Sequence, residues 1–171
     1  DVEKLVAYWG VGGRAKDLGP LLQSLRRVAG GTELGIAQLL PTFARRRLYT
    51  YAEPTATQKP AARSDLWAAL NFFNRTPDDR FFDVKVASNA IRKEYYEIAA
   101  DSRLGDVVAL FTPDDIMVTT AVYIADDIVF ARSSPRRTSP WLLMTISQWA
   151  DQWALSLPKE TPPNVRIYRH K

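Results

Sequence analysis

The chain has 171 residues, of which 46% are hydrophobic and 25% charged; this is the balance of an ordinary globular protein and excludes a disordered one. It contains no cysteine and one histidine, so disulfides, a cysteine nucleophile and metal sites built on these residues are excluded, and no cofactor is expected. No apolar run approaches the roughly 18–20 residues of a membrane span. The net charge is +4, and we interpret the arginine clusters as solvated surface, because no nucleic-acid recognition motif accompanies them.

The first fifty or so residues carry apolar side chains at helical spacing, interrupted by glycines. This pattern predicts helices over 2–9 and 18–28, a short helical segment over 34–40, and another helix that Pro41 begins. Tyr49 and Tyr51 fall in a short extended piece. The stretch 52–62 that follows contains two prolines and no large apolar residue, so it predicts a surface loop that could form the rim of a pocket.

A buried helix is predicted directly after this loop. Ser64 is a good N-cap, and the run from Asp65 through Trp67 to Phe73 is strongly apolar. Asp65 would lie in the first turn, where the positive end of the helix dipole favours a carboxylate. On this basis alone Asp65 could be a simple helix-terminus acid. A further helix is predicted over 88–98.

Three short runs rich in Val, Ile and aromatic residues cover 105–111, 118–125 and 126–130, separated by acidic turns. They predict three consecutive antiparallel strands, covered on both sides because both faces carry apolar residues. A helix is predicted over 141–153, and an additional strand over 165–169 at the sheet edge. The sequence therefore predicts a single α+β domain over 1–171, with a helical N-terminal half packed on a small antiparallel β-sheet.

The strand region also carries a resemblance. Gly105-Asp106-Val107-Val108 with Phe111, followed by Ala121-Val122-Tyr123-Ile124, resembles the strands of the NlpC-type cell-wall peptidases, a papain-like cysteine peptidase family. The resemblance implies a papain-like, NlpC-type fold and a bacterial protein that is periplasmic or extracellular after removal of a signal segment. In that family a cysteine begins a helix, a histidine begins the second strand, and a third polar residue lies about a dozen positions later. The matching positions here are Asp65, Thr119 and Ala131, so all three catalytic residue types are missing.

The resemblance implies a catalytically silent scaffold, natural or redesigned, that binds a small or peptide-like ligand in the former active-site cleft. Two alternatives stay open. In the first, the chain is an amidase- or peptidase-like hydrolase in which Asp65 works with an unidentified acid–base partner such as Asp106, Asp126 or Asp127. In the second, it is a polyanion- or cell-wall-binding module that uses its arginine clusters. The predicted ligand-binding residues are Asp65, Trp67, Thr119, Thr120, Ala131, Tyr49 and Tyr51.

Overall fold

The structure is a computed structural model that describes residues 1–51, 65–136, 138–158, 162 and 164–171. Helices occupy most of its N-terminal part and an antiparallel sheet most of its C-terminal part, which confirms the predicted α+β class. The six strands of this sheet are β1 Tyr95–Ile98, β2 Val107–Phe111, β3 Met117–Ala125, β4 Ile128–Arg132, β5 Trp141–Thr145 and β6 Asn164–His170. Their order across the sheet is β1-β6-β2-β3-β4-β5.

The first helix begins and ends where the local sequence provides caps. The Asp1 carboxylate accepts hydrogen bonds from the amides of Glu3 and Lys4 at the start of the first helix, which Gly10 ends. The second helix starts three residues earlier than predicted, and the one after Pro41 starts as predicted. The α-helices of the described residues are α1 Val2–Trp9, α2 Ala15–Arg26, α3 Ile36–Leu39, α4 Thr42–Arg47, α5 Asp65–Leu70, α6 Val84–Glu94 and α7 Ile146–Ala154.

The sheet is covered on both faces, as its apolar pattern predicted. Successive strand residues alternate between two hydrophobic clusters. The first, which we call the helical-side core, packs Val107 and Phe130 against residues of α1 to α6. The second, the α7-side core, packs Leu110 and Ala131 against Trp149 of α7, whose side chain is fully buried. All five residues of β2 are buried, so β2 lies at the centre of the molecule.

The predicted helix over 141–153 is wrong in its first five residues. Trp141–Thr145 is strand β5, paired residue for residue with β4, and the helix begins only at Ile146. Thr145 sets this boundary through a capping box, because its hydroxyl accepts from the Gln148 amide while the Gln148 side chain accepts from the Thr145 amide. Pairing with β4 outweighs the helical spacing of the apolar residues.

Two further predictions are corrected at the other side of the sheet. The helix predicted over 88–98 ends at Glu94, and Tyr95–Ile98 is strand β1. The strand predicted at the sheet edge, β6, lies inside the sheet between β1 and β2. The helix prediction failed because β1 follows α6 without a linking residue, so that no turn signal marks the change.

Some predicted features lie outside the described residues, namely the loop over 52–62 and the Ser64 cap. Among the residues that are described, every helix is too short or too polar to traverse a lipid bilayer.

Candidate functional site

The first turn of α5 lies beside the first half of β3. Asp65 and Thr119 are both nearly buried, and the Thr119 hydroxyl donates a hydrogen bond of 2.8 Å to Oδ2 of Asp65. The helical-side core holds the two elements together, with Leu66 and Trp67 of α5 in the same cluster as Val122 of β3. The two sequence positions that the resemblance assigns to a nucleophile and a base are therefore in direct contact.

A third residue, Arg132, completes this cluster. Arg132 ends β4, and its Nε donates to Oδ1 of Asp65 at 2.7 Å while its Nη2 donates to Oδ2 at 3.3 Å. The Arg132 and Asp65 side chains are only 11% and 8% exposed, so this is a buried, two-pronged ion pair. We call Asp65, Thr119 and Arg132 the Asp65 cluster.

The position of Arg132 is fixed from two sides. Its backbone carbonyl accepts a hydrogen bond of 3.0 Å from Nε1 of Trp153, which ties the end of β4 to α7. Its guanidinium lies 5.7 Å from the ring of Trp141, the residue paired with it on β5. A charge taken out of water is strongly destabilising unless it is paired and hydrogen-bonded, and here both carboxylate oxygens of Asp65 have donors.

The remaining predicted site residues form two groups, one buried and one exposed to solvent. Trp67, Thr120 and Ala131 are each at most 2% exposed. Trp67 stacks on Phe82 with ring centroids 5.1 Å apart, and the hydroxyl of Thr120 has no hydrogen-bond partner within the described part of the chain. Ala131 belongs to the α7-side core rather than to the Asp65 cluster.

Tyr49 and Tyr51, in contrast, are 69% and 59% exposed. Their segment is attached to β5, since the Tyr49 amide donates to the Trp141 carbonyl at 2.8 Å and Tyr51 forms an isolated bridge with Pro140. Trp141 is also the neighbour of Arg132, so the two tyrosines present an aromatic surface next to the strand that borders the Asp65 cluster.

Of the acidic residues considered as partners for Asp65, Asp106 has its carboxylate engaged elsewhere. Both oxygens of Asp106 accept hydrogen bonds from Arg169, at 3.0 and 2.7 Å, and Oδ2 also accepts from the Arg103 amide. Asp126 and Asp127 lie in the turn after β3, where their backbone carbonyls, not their carboxylates, accept hydrogen bonds from the Tyr123 hydroxyl and the Ile146 amide.

His170, the one histidine of the sequence, and the arginines at 45–47 make other contacts. His170 lies 3.8 Å from Glu94 and packs edge-on against Tyr95, near the ends of α6 and β6. Arg45 and Arg46 are exposed, whereas the Arg47 guanidinium lies over the Phe43 ring at 3.6 Å and beside Trp67 at 4.8 Å. Across the described residues, no three His, Asp or Glu side chains form a group that could hold a metal ion.

Arg132 was not among the site residues predicted from the sequence. One signal could have found it. A carboxylate predicted to sit in the first turn of an apolar helix needs a counter-charge when it is buried, and Arg132 is the first cation after the strand run that ends at Phe130. Comparison with protein-family models, with curated proteins and with solved structures gave no match, so the resemblance to NlpC-type peptidases stays a prediction from the sequence.

Proposed function

We propose that this chain is a catalytically silent protein with a papain-like, NlpC-type layout, which binds a small or peptide-like ligand and does not hydrolyse it. The observation that carries the proposal is the 2.8 Å hydrogen bond between Thr119 and Asp65. It joins the start of a buried helix to a strand of an antiparallel sheet at the two positions where the resemblance expects the nucleophile and the base.

The chemistry of the Asp65 cluster supports the absence of catalysis. A papain-like mechanism needs a thiolate and a group that exchanges a proton near neutral pH. The cluster supplies a carboxylate, a threonine hydroxyl and a guanidinium, and an arginine does not lose its proton in proteins. The ion pair between Asp65 and Arg132 retains one negative and one positive charge at this position, as a thiolate–imidazolium pair would, but both are fixed by hydrogen bonds.

Ligand binding is assigned to the exposed aromatic surface beside the cluster. Tyr49 and Tyr51 expose most of their side chains, and tyrosines on a rigid attachment are among the residues that contribute most to recognition. Their segment is hydrogen-bonded to β5 and therefore held in place. In this proposal Asp65, Thr119, Thr120 and Trp67 form the support beneath the binding surface, whereas Ala131 belongs to the α7-side core and takes no part.

The hydrolase alternative gains little from these contacts. Asp65 would have to accept a proton, yet both of its oxygens already accept hydrogen bonds, and its partners Thr119 and Arg132 do not act as general acids near neutral pH. The polyanion alternative rests on the exposed Arg45 and Arg46, and steeply salt-dependent binding to heparin would favour it.

Two measurements test the proposal separately. Purified protein is incubated with a chromogenic ester and a short peptide amide, and we expect no turnover above buffer; turnover that disappears in Asp65→Asn would contradict catalytic silence. Binding of a fluorescent cell-wall stem peptide is then compared in wild type, in Tyr49→Ala with Tyr51→Ala, and in Leu155→Ala, which removes an even more exposed apolar side chain elsewhere. We expect the tyrosine double variant alone to bind about tenfold more weakly. Equal affinity in all three proteins, or no binding by wild type, would overturn the assigned surface.

A further inference from the structure

A second region of the molecule has the shape of a ligand site. A cavity of about 560 Å³ lies between α6 and the part of the sheet formed by β1, β6 and β2. Its volume falls within the roughly 300–1,000 Å³ that is usual for small-molecule sites. None of the residues that line it belongs to the Asp65 cluster or to the Tyr49–Tyr51 surface, so it is a separate site.

The cavity follows from the way in which α6 joins the sheet. Helix α6 ends at Glu94 and strand β1 begins at Tyr95, so the helix and the strand leave the same point of the chain in different directions. Ile91 near the end of α6 is buried in the helical-side core, which holds the helix against the sheet at that end. The cavity occupies the angle between the two elements.

Aromatic side chains form part of its walls. Phe111 of β2 and Tyr168 of β6 lie on neighbouring strands with ring centroids 6.3 Å apart, and Tyr95 of β1 lines the same space. The Arg166 guanidinium lies 4.5 Å from the Phe111 ring and is paired with Asp115 at 2.6 Å. These walls therefore present aromatic faces and edges, with the Arg166 charge already neutralised by its partner.

Two further charges at the cavity have no partner. Arg92 of α6 and Glu97 of β1 both line it and are exposed, and within the described residues neither side chain takes part in a hydrogen bond, an ion pair or a ring contact. One unpaired cation and one unpaired anion thus lie beside several aromatic rings. A ligand that carries one charge of each sign and a ring would complement all of these features.

We propose that this cavity binds a small zwitterion with an aromatic ring, such as a free aromatic amino acid or a short peptide that contains one. Arg92 binds the carboxylate, Glu97 binds the ammonium group, and Phe111, Tyr95 and Tyr168 contact the ring. The assignment goes beyond the proposed function, because it concerns other residues and needs neither the NlpC resemblance nor catalytic silence.

The experiment separates the three contacts by changing the ligand. The full chain is titrated by calorimetry with L-phenylalanine, 3-phenylpropionate, which lacks the ammonium group, 2-phenylethylamine, which lacks the carboxylate, and L-alanine, which lacks the ring. We expect L-phenylalanine to bind most tightly and L-alanine not to bind. A parallel titration with glycyl-L-phenylalanine distinguishes an amino-acid site from a peptide site, since the dipeptide moves the two charges apart.

Single substitutions, each with a matched control, test which charged group of the ligand Arg92 and Glu97 bind. We expect Arg92→Gln to lower the affinity for L-phenylalanine and 3-phenylpropionate by about tenfold, because one charge-assisted hydrogen bond is lost. The affinity for 2-phenylethylamine, which has no carboxylate, should not change. Glu97→Gln should instead lower the affinity for L-phenylalanine and 2-phenylethylamine, the two ligands that carry an ammonium group and a ring. Lys93→Gln and Glu33→Gln make the same changes in net charge at exposed positions that do not line the cavity. The proposal would be overturned if Lys93→Gln and Glu33→Gln had the same effects as Arg92→Gln and Glu97→Gln. It would also be overturned if all four ligands bound with equal affinity, or if neither L-phenylalanine nor the dipeptide bound at millimolar concentration.

Discussion

Nε of Arg132 lies 2.7 Å from Oδ1 of Asp65, although 67 positions separate the two residues in the chain and both are almost completely buried. Removing one member of such a pair leaves an unpaired charge in the interior. We expect Asp65→Ala to lower the free energy of unfolding by about 3–5 kcal/mol, measured by urea denaturation. The double variant Asp65→Ala with Arg132→Leu should recover part of this loss, because it removes the remaining charge.

An exposed ion pair provides the control. Arg75 and Asp17 are 3.9 Å apart with side chains 91% and 76% exposed, so Arg75→Ala should change stability by less than about 0.5 kcal/mol. If Asp65→Ala and Arg75→Ala had similar effects, the pair between Asp65 and Arg132 would not be buried as described.

Restoring the missing residue types tests the resemblance. We expect Asp65→Cys with Thr119→His to create a thiol whose pKa lies below the ordinary value of about 8.5, since the thiolate would sit beside a histidine and the Arg132 guanidinium in the first turn of α5. The measurement is the rate of iodoacetamide alkylation as a function of pH. Asp65→Cys alone isolates the contribution of Thr119→His, and Ser24→Cys on the exposed side of α2 provides an ordinary thiol. Alkylation of the double variant with the pH profile of the Ser24→Cys thiol would contradict the predicted alignment with the family.

Gly105, which lies two residues before the start of β2, has a positive φ of 95° and lies against the ring of Phe73, which would overlap any added Cβ. We expect Gly105→Ala to cost roughly 2–5 kcal/mol, the sum of left-handed backbone strain and overpacking. Gly30 has a similar φ of 83° but open space around its Cα, so Gly30→Ala should cost only about 1–2 kcal/mol. Urea denaturation of both variants gives the difference, and equal losses would show that Phe73 does not restrict this position.

Alkaline pH should destabilise the protein through two tyrosines. Burial raises the pKa of Tyr8 to about 12, with a further contribution from nearby Tyr123 and acidic residues, and burial with the charge of Glu94 raises the pKa of Tyr95 to about 12. Because these folded-state pKa values exceed the unfolded value of about 10, the folded state holds more protons between pH 10 and 12. Stability is therefore complete below pH 10 and falls as the pH rises towards 12.

Denaturation curves at pH 9, 10 and 11 would measure this decline. Tyr95→Phe should flatten it, because the variant has one proton fewer to lose in the unfolded state. Tyr8→Phe should also flatten it but lower stability at every pH, since the Tyr8 hydroxyl donates a 2.7 Å hydrogen bond to the Ile124 carbonyl. An unchanged slope in Tyr95→Phe would contradict the raised pKa.

The parts of the fold that could be predicted are those in which local pattern and tertiary pairing agree. The strands β2, β3 and β4 combine apolar alternation with acidic turns, and α1 combines a cap with a terminal glycine. Trp141–Thr145 could not be predicted, because its apolar residues continue the spacing of α7 and only pairing with β4 makes it a strand. Strand β1 could not be predicted either, because its pairing partner β6 is distant in sequence.

The candidate site was predictable in the same limited way. The adjacency of Asp65 and Thr119 followed from the alignment with a family pattern, but that pattern was matched at three positions only, so Arg132 was not expected. Local sequence does not show whether a carboxylate in a first turn faces water or a cation. That depends on which strand ends beside it in three dimensions.

The placement of β6 between β1 and β2 has a consequence for biosynthesis. Among the described residues β1 pairs only with β6, so from the time that Tyr95–Ile98 leaves the ribosome until Asn164–His170 follows, β1 and one side of β2 have no partner in the sheet. Helices and the β2–β4 meander can form during translation, whereas closure of the sheet must wait for the last strand. Nascent chains would therefore carry an unpaired strand edge while residues 99–163 are synthesised, the kind of intermediate that chaperones shield.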